Sequence, residues 1–266
     1  MNMKQNSTKP QIKVEHLCVE FSSGHRRTRA VQDVSLSIKK GSIAALVGES
    51  GSGKSVTALA IMDLLPQTAH VCQGKVIWKG KDLLLLPEKE RKKLNGTVFS
   101  MIFQNPAAAL DPLFSIGDQI TEGILAHSRI KRREARKEAV HYLQMMNLPE
   151  PEALMNKRPF ELSGGMCQRV TIAMAMSLHP EFLIADEPTT ALDVTVQKQI
   201  LEEISRIRTE QDVGVLFITH DLGVVAEIAD DVFVMRSGQI VESGDVYHIF
   251  EHPQHSYTKK LLNSVL

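Results

Sequence analysis

The chain has 266 residues, 43% apolar and 23% charged, a balance that fits an ordinary soluble globular protein able to bury a core without staples. Lysine plus arginine and aspartate plus glutamate each total 31, so the formal net charge is zero, which argues against a chain that grips nucleic acid through a broad basic footprint. Three scattered cysteines (Cys18, Cys72, Cys167) without a CxxC pair fit a reducing compartment rather than a disulfide framework or cysteine-rich metal site, MNMKQNSTKP lacks the apolar stretch of a signal peptide, and no apolar run nears the roughly 20 residues that cross a bilayer.

Residues 1–10 are polar and read as a frayed terminus. IKVEHLCVEF (12–21) alternates apolar and polar residues and predicts a half-buried strand. SSGHRRTR reads as a turn, and VQDVSLSIKKG as a second alternating strand. SIAALVG is short and almost continuously apolar, the pattern of a parallel strand covered on both faces. GESGSGKS follows it, and SVTALAIMDLL (55–65) predicts a helix ending at Pro66. Residues 88–160 change character: EKERKK and KRREARKE are charge-rich, and Ala135, Ala139 and Leu143 fall at helical spacing, which predicts a mostly helical insertion. Strand patterns resume at FLIAD (182–186) and VGVLFITH (213–220). VFVMRSGQIVESG (232–244) reads as a hairpin turning at Ser237-Gly238, and 246–266 as one or two short helices. There is no internal repeat and no low-complexity linker.

GESGSGKS satisfies GxxxxGK[ST] through Gly48, Gly53, Lys54 and Ser55, with Gly51 adding backbone freedom. Between a buried strand and a helix, such glycines let successive N–H groups turn inward as an anion-binding nest, and the helix dipole adds to it. The candidate phosphate-binding run is Gly48, Glu49, Ser50, Gly51, Ser52, Gly53, Lys54, Ser55 and Val56, with Lys54 directed at the β- and γ-phosphates and the Ser55 hydroxyl at Mg²⁺. A flexible glycine turn with a chance lysine is the bland alternative, and the strand–loop–helix context argues against it. The second half of a nucleotide site is offered by FLIADE, an apolar strand ending in Asp186 and Glu187. Ligands of parallel sheets collect at carboxyl strand ends, so Asp186 is expected near the metal and Glu187 near the γ-phosphate, where it can polarise water. A solvated turn is the bland reading of the same pair.

LSGGMCQR (162–169) places Ser163, Gly164 and Gly165 before the apolar-periodic VTIAMAMSL, a capped helix N-terminus. Simple capping explains the serine. A second anion nest in a chain that needs only one points instead to the nucleotide of a neighbouring subunit in a head-to-tail dimer.

These motifs, in order, resemble the nucleotide-binding subunit of ATP-binding cassette (ABC) transporters over residues 12–266: GESGSGKS, FQNP with Gln104, LSGGM where LSGGQ is more frequent, LIADEP, TALD (190–193) and FITHD with His220. The resemblance implies an α/β P-loop NTPase with a mixed sheet, an N-terminal antiparallel β-subdomain and a helical insertion subdomain. It implies a single domain over 12–266, with a RecA-like core about 12–87 and 170–250, helices about 88–169 and a tail at 246–266. It further implies ATP and Mg²⁺ as cofactors, with the metal at Ser55 and Gln104 supported by Asp186. Catalytic roles fall to Lys54, Gln104, Glu187 as general base and His220 on the γ-phosphate; taken alone, His220 reads as a packed or solvent-facing histidine. Asp193 links the two sites of a dimer, and Phe21 takes the place of an aromatic ring stacked on adenine, with core packing as its alternative.

QNPAAALDP, ELSGGMCQRV, IADEPTTALDVTVQ and HPQHSYTKKLL resemble the ATPases of oligopeptide, dipeptide and nickel importers. The expected partners are a second ABC ATPase subunit (a heterodimer, with a homodimer as the alternative), two transmembrane permeases and, indirectly, an extracytoplasmic binding protein, with no nucleic acid. The expected location is the cytoplasmic face of the inner membrane, as a peripheral protein. The chain ends at Leu266 with no cysteine after Cys167, which leans toward the nickel or metal-chelate type. The rival reading is a soluble ABC-type ATPase of DNA repair or translation. Against it, only about 130 residues separate the two Walker motifs, no heptads are sustained and one cassette is present. A small-molecule kinase is a third reading, opposed by LSGGM and His220.

Overall fold

The computed structural model describes residues 12–24, 26–190 and 192–263. The terminus at 1–10 and Ala191 of TALD lie outside the described residues. Among the described residues, ten strands, β1 (Ile12–Ser23), β2 (Arg26–Ile38), β3 (Ile43–Val47), β4 (Ala69–Trp78), β5 (Lys81–Asp82), β6 (Phe99–Ile102), β7 (Phe182–Asp186), β8 (Gly214–Thr219), β9 (Asp231–Arg236) and β10 (Gln239–Asp245), divide into two sheets. One is antiparallel, in the order β2-β1-β4-β5; the other runs β10-β9-β3-β8-β7-β6 and is parallel except for β10. With helices packed around them, they form the α/β P-loop architecture with an N-terminal antiparallel sheet.

The apolar runs expected to be buried parallel strands are buried at every position of β3, β7 and β8. Alternate residues serve opposite faces. Ile43, Leu183, Ala185, Val215 and Phe217 join a core with the helices Ile116–His127, Arg132–Met145, Gly164–Met176 and Val194–Glu210. Ala44, Leu46, Phe182, Ile184, Leu216 and Ile218 join a second core with the antiparallel sheet and the helix Lys54–Ile61. Removing one such side chain, as in Leu183→Ala, costs about 2–5 kcal/mol, because both faces are covered and the gap cannot fill with water.

Two local features differ from the sequence reading. SSGHRRTR is mostly strand: Ser22 pairs with Arg27, Ser23 with Arg26 and Glu20 with Arg29, whose guanidinium is 2.9 Å from the Glu20 carboxylate. This ribbon is solvated and its pairing comes from charge and backbone, so it carries no apolar alternation. The helix after the phosphate loop stops at Ile61, because Met62 caps it and Asp63 takes a left-handed φ of 57° before Pro66 is reached. Inside residues 88–160, the run VFSMIF before Gln104, strand-like in sequence, forms over Phe99–Ile102 the edge strand of the mixed sheet, pairing Phe99 with Phe182 and Ile102 with Ala185.

The other helices of that stretch are Glu88–Leu94, Pro106–Ala109, Ile116–His127, Arg132–Met145 and Pro151–Leu154. Ala135, Ala139 and Leu143 are fully buried in it. The hairpin of β9 and β10 turns at Ser237-Gly238, both at positive φ, and the tail forms the helices Val246–Glu251 and Ser256–Asn263. Among the described residues, no helix is long and apolar enough to cross a membrane.

Candidate active site

Four adjacent parallel strands end on one edge of the mixed sheet. β3 leads into Gly48, β8 into His220, β7 into Glu187 and β6, one residue on, into Gln104. The phosphate-loop glycines are demanded by space as well as by backbone angle. Gly48 has φ 155°, and a Cβ on it would collide with the Met235 carbonyl. Gly53 has φ 106°, and its Cβ would stand 2.7 Å from the Ala30 carbonyl oxygen. The loop is thus pressed between the last strand pair and β2. Gly238 N–H donates to the Ser52 carbonyl at 2.8 Å, and Glu49 N–H donates to the Tyr257 hydroxyl at 3.2 Å.

Lys54 opens the helix Lys54–Ile61 and is buried, with Nζ donating to the carbonyls of Gly48 (2.8 Å) and Glu49 (3.0 Å). Burial lowers its pKa, while Glu187 and Asp186 oppose that shift. Ser55, next on the helix, donates to Asp186 Oδ1 at 3.0 Å. Burial raises the Asp186 pKa; the Ser55 hydroxyl and Lys54 pull it down, and Glu187 pushes it further up. The loop and the end of β7 therefore share one pocket of mutually dependent charge.

Glu187 sits at φ 48°, a strained conformation for a residue with a side chain, held by its N–H on the Ile218 carbonyl at 2.9 Å. Its carboxylate gathers three neighbours. Gln104 Nε2 and Thr190 Oγ1 each donate to Oε2 at 3.0 Å, and His220 Nδ1 lies 3.3 Å from Oε1. The His220 side chain is 58% exposed and Glu187 only 14%, so the acid is set back behind a histidine that faces outward. The arrangement can hold a carboxylate oriented toward a group delivered to the strand ends.

Ser163 caps the helix Gly164–Met176, its hydroxyl accepting from Met166 N–H at 3.3 Å. A Cβ on Gly165 would lie 2.7 Å from Val196 Cγ1, so this helix abuts the start of Val194–Glu210, which Asp193 caps by accepting from Val196 N–H at 3.0 Å. A Cβ on Gly164 would meet nothing within 4 Å. No hydrogen bond links Ser163–Gly165 to Gly48–Val56 among the described residues. Phe21 is half-buried on β1 opposite Thr28, two residues from the Ala30 that presses on Gly53, so it stands at the phosphate-loop end of the antiparallel sheet.

The donor set suits a hard cation shared with phosphates: a serine hydroxyl, a carboxylate and an amide oxygen. Among the described residues, no group of three or more His, Cys, Asp or Glu forms a metal cage. That fits Mg²⁺, which keeps waters and takes substrate oxygens rather than a protein cage. The buried Ser52 hydroxyl, inside the loop, has no protein partner among the described residues. The sequence reading brings Lys54, Ser55, Gln104, Asp186, Glu187 and His220 to one place. It gave no contact role to Thr190 on Glu187, or to Tyr257, Met235 and Gly238 behind the loop. Thr190 opens TALD and Tyr257 lies in HPQHSY, and neither string reveals a contact.

A family model described as ABC transporter matches residues 31–190. The dipeptide transport ATP-binding protein DppD of Bacillus subtilis (strain 168) is 48% identical over 255 residues, 96% of this chain and 76% of that protein. The oligopeptide transport ATP-binding protein OppD of the same organism is 48% identical over 255 residues, covering 96% and 71%. A solved ATP-binding cassette, dimeric and in a post-hydrolysis state bound to ADP and Pi, superposes with a TM-score of 0.79 at 27% identity, covering 88% of this chain and 98% of that one.

Proposed function

Because the chain belongs to the ABC transporter family, as an ATP-hydrolysing subunit of its importers that uses Mg²⁺, we propose that it powers peptide uptake through partner permeases, with the residues gathered around Glu187 performing the hydrolysis. The observation that carries the site assignment is the convergence of Gln104, Thr190 and His220 on one carboxylate, separated from the phosphate loop by β8.

Lys54 leaves the Gly48 and Glu49 carbonyls to hold the β- and γ-phosphates, while the N–H groups of Gly51–Val56 line the rest of the anion. Ser55 and Gln104, with Asp186 behind them, would hold Mg²⁺, which would supply positive charge against the phosphates. Glu187 takes the proton of the attacking water, with the Thr190 hydroxyl staying on Oε2 to keep the carboxylate aimed. His220 swings from Glu187 to the γ-phosphoryl oxygens, stabilising charge that grows in the transition state. Phe21 stacks on adenine. Ser163, Gly164 and Gly165 close on the nucleotide of the other subunit, and Asp193 joins the two sites; the open space at Gly164 supports this, because nothing within the chain needs a glycine there. We read 12–266 as one ABC ATPase domain, its helical part at about 88–169 returning β6 to the core sheet.

The protein dimerises and works with transmembrane permeases at the inner membrane; a heterodimer and an extracytoplasmic binding protein complete our reading. Peptide is preferred to nickel because the matched relatives are named for dipeptides and oligopeptides. Uptake by a deletion strain, offered labelled dipeptide and labelled nickel separately, tests this. Loss of dipeptide uptake alone is expected, and loss of nickel uptake alone overturns the substrate assignment.

A further inference from the structure

The phosphate loop is braced from behind by the last quarter of the chain. Tyr257, in the helix Ser256–Asn263, is 4% exposed, and its hydroxyl accepts the Glu49 N–H at 3.2 Å. The carbonyl of the same residue accepts from Lys54 Nζ at 3.0 Å. Glu49 is therefore clasped at its N–H by the tail and at its carbonyl by the lysine. The Tyr257 ring lies under the Arg236 guanidinium at 4.8 Å, at the end of β9. The turn after Arg236 reaches the loop again through Gly238 N–H on the Ser52 carbonyl. Glu242 of β10 holds the tail in register by accepting the N–H groups of Gln254 (2.6 Å) and His255 (3.1 Å) just before the helix.

When nucleotide arrives, Lys54 must give up the Glu49 carbonyl. From that moment the Glu49 carbonyl keeps only the Ser52 N–H, at 3.2 Å, and the Tyr257 hydroxyl is what holds the Glu49 N–H. A backbone N–H without its acceptor in a part-buried place favours rotation of the peptide toward another partner. Rotation here would redirect the first turn of the nest.

We infer that Tyr257 is a positioning residue for the phosphate loop, its hydroxyl fixing the Glu49 peptide in the orientation that receives a nucleoside triphosphate. The inference rests on reading Gly48–Val56 as the phosphate loop. By reciprocity, docking of the tail and binding of nucleotide favour each other. Tyr257→Phe keeps the ring and its contact with Arg236 and deletes only the acceptor.

The test measures ATP affinity, KM and kcat for the full chain with Tyr257→Phe, with Lys54→Ala as control. Hydrogen exchange over 256–263 is followed in Glu187→Gln chains with and without ATP. Tyr257→Phe is expected to weaken ATP binding and raise KM about three- to tenfold, the factor one hydrogen bond supports, with kcat at saturating ATP within about twofold of wild type. ATP is expected to slow exchange in the tail of Glu187→Gln and to do so less when Tyr257→Phe is added. Wild-type affinity and KM in Tyr257→Phe, while Lys54→Ala loses binding, overturn the inference alone. A change confined to melting temperature also overturns it. Wild-type binding by Lys54→Ala overturns the phosphate-loop reading itself.

Discussion

Gln104 Nε2 donates to Glu187 Oε2 at 3.0 Å, so the ends of β6 and β7 are tied through the two side chains that stand nearest the helical part and the hydrolytic site. On the proposed reading, the Gln104 amide oxygen takes part in holding Mg²⁺ while Nε2 faces Glu187, so filling the site changes the contacts of this side chain; we propose that the change is passed to the segment after Gln104, where Leu113 and Phe114 are exposed.

Gln104→Ala should therefore uncouple transport from hydrolysis. A ligand shifts an equilibrium only through contacts that differ between states, and this variant removes one. Uptake into vesicles reconstituted with the permeases is expected to fall about five- to tenfold more than basal phosphate release, within the usual range of coupling energies. Equal losses in both assays would return Gln104 to a purely hydrolytic role.

Glu187→Gln should bind ATP and fail to turn it over. The amide is nearly isosteric but cannot take a proton, and the expected loss in kcat is about 10²–10⁴-fold. Unhydrolysed ATP would hold two subunits together, seen as an ATP-dependent dimer by size exclusion. Turnover at the wild-type rate would remove Glu187 from the chemical step.

Ser163→Arg should damage the partner's site and spare its own chain's. In a heterodimer, photo-crosslinked nucleotide is expected to be lost from the partner and retained on the mutated chain. In a homodimer, mixing Ser163→Arg with Lys54→Ala subunits should leave at most one working site per mixed dimer. Labelling lost only from the mutated chain is the contrary outcome.

Asp186→Asn should make the nucleotide-free protein more stable while abolishing hydrolysis. Burial raises the Asp186 pKa above its ordinary 3.8, so the ionised form is disfavoured in the folded chain relative to the unfolded one. Above the raised value that penalty is fully present, and the asparagine variant escapes it. Below 3.8 both states are protonated and the advantage disappears. Melting curves from pH 4 to pH 8 should show the difference growing with pH, and a wild type that melts higher at pH 8 would contradict the assignment.

The site was legible wherever a short string carries its own chemistry. Glycines beside a lysine, and carboxylates closing an apolar run, state their geometry locally, and Lys54, Ser55, Asp186 and Glu187 meet as their spacing implies. What was not legible depends on register between distant strands. Nothing near Glu49 announces Tyr257, 208 residues away. Nothing near Gly48 announces the Met235 carbonyl that forbids a Cβ there. The charged ribbon Arg26–Arg29 hid a strand because pairing in a solvated hairpin leaves no apolar trace.

The position of β3 between β8 and β9 has a consequence for how the protein is made. Both neighbours of this buried strand are encoded much later in the chain, at Gly214–Thr219 and Asp231–Arg236. A ribosome adding about 5–20 residues per second needs about 10–40 s to travel the roughly 190 residues from β3 to the end of β9. Until β8 emerges, Ile43–Val47 is an apolar strand with two unpaired edges, and until β9 emerges one edge stays open, a feature that invites mispairing with other chains. The nascent polypeptide should consequently depend on holding chaperones until residue 236 has cleared the exit tunnel, and arrested chains released before that point should aggregate.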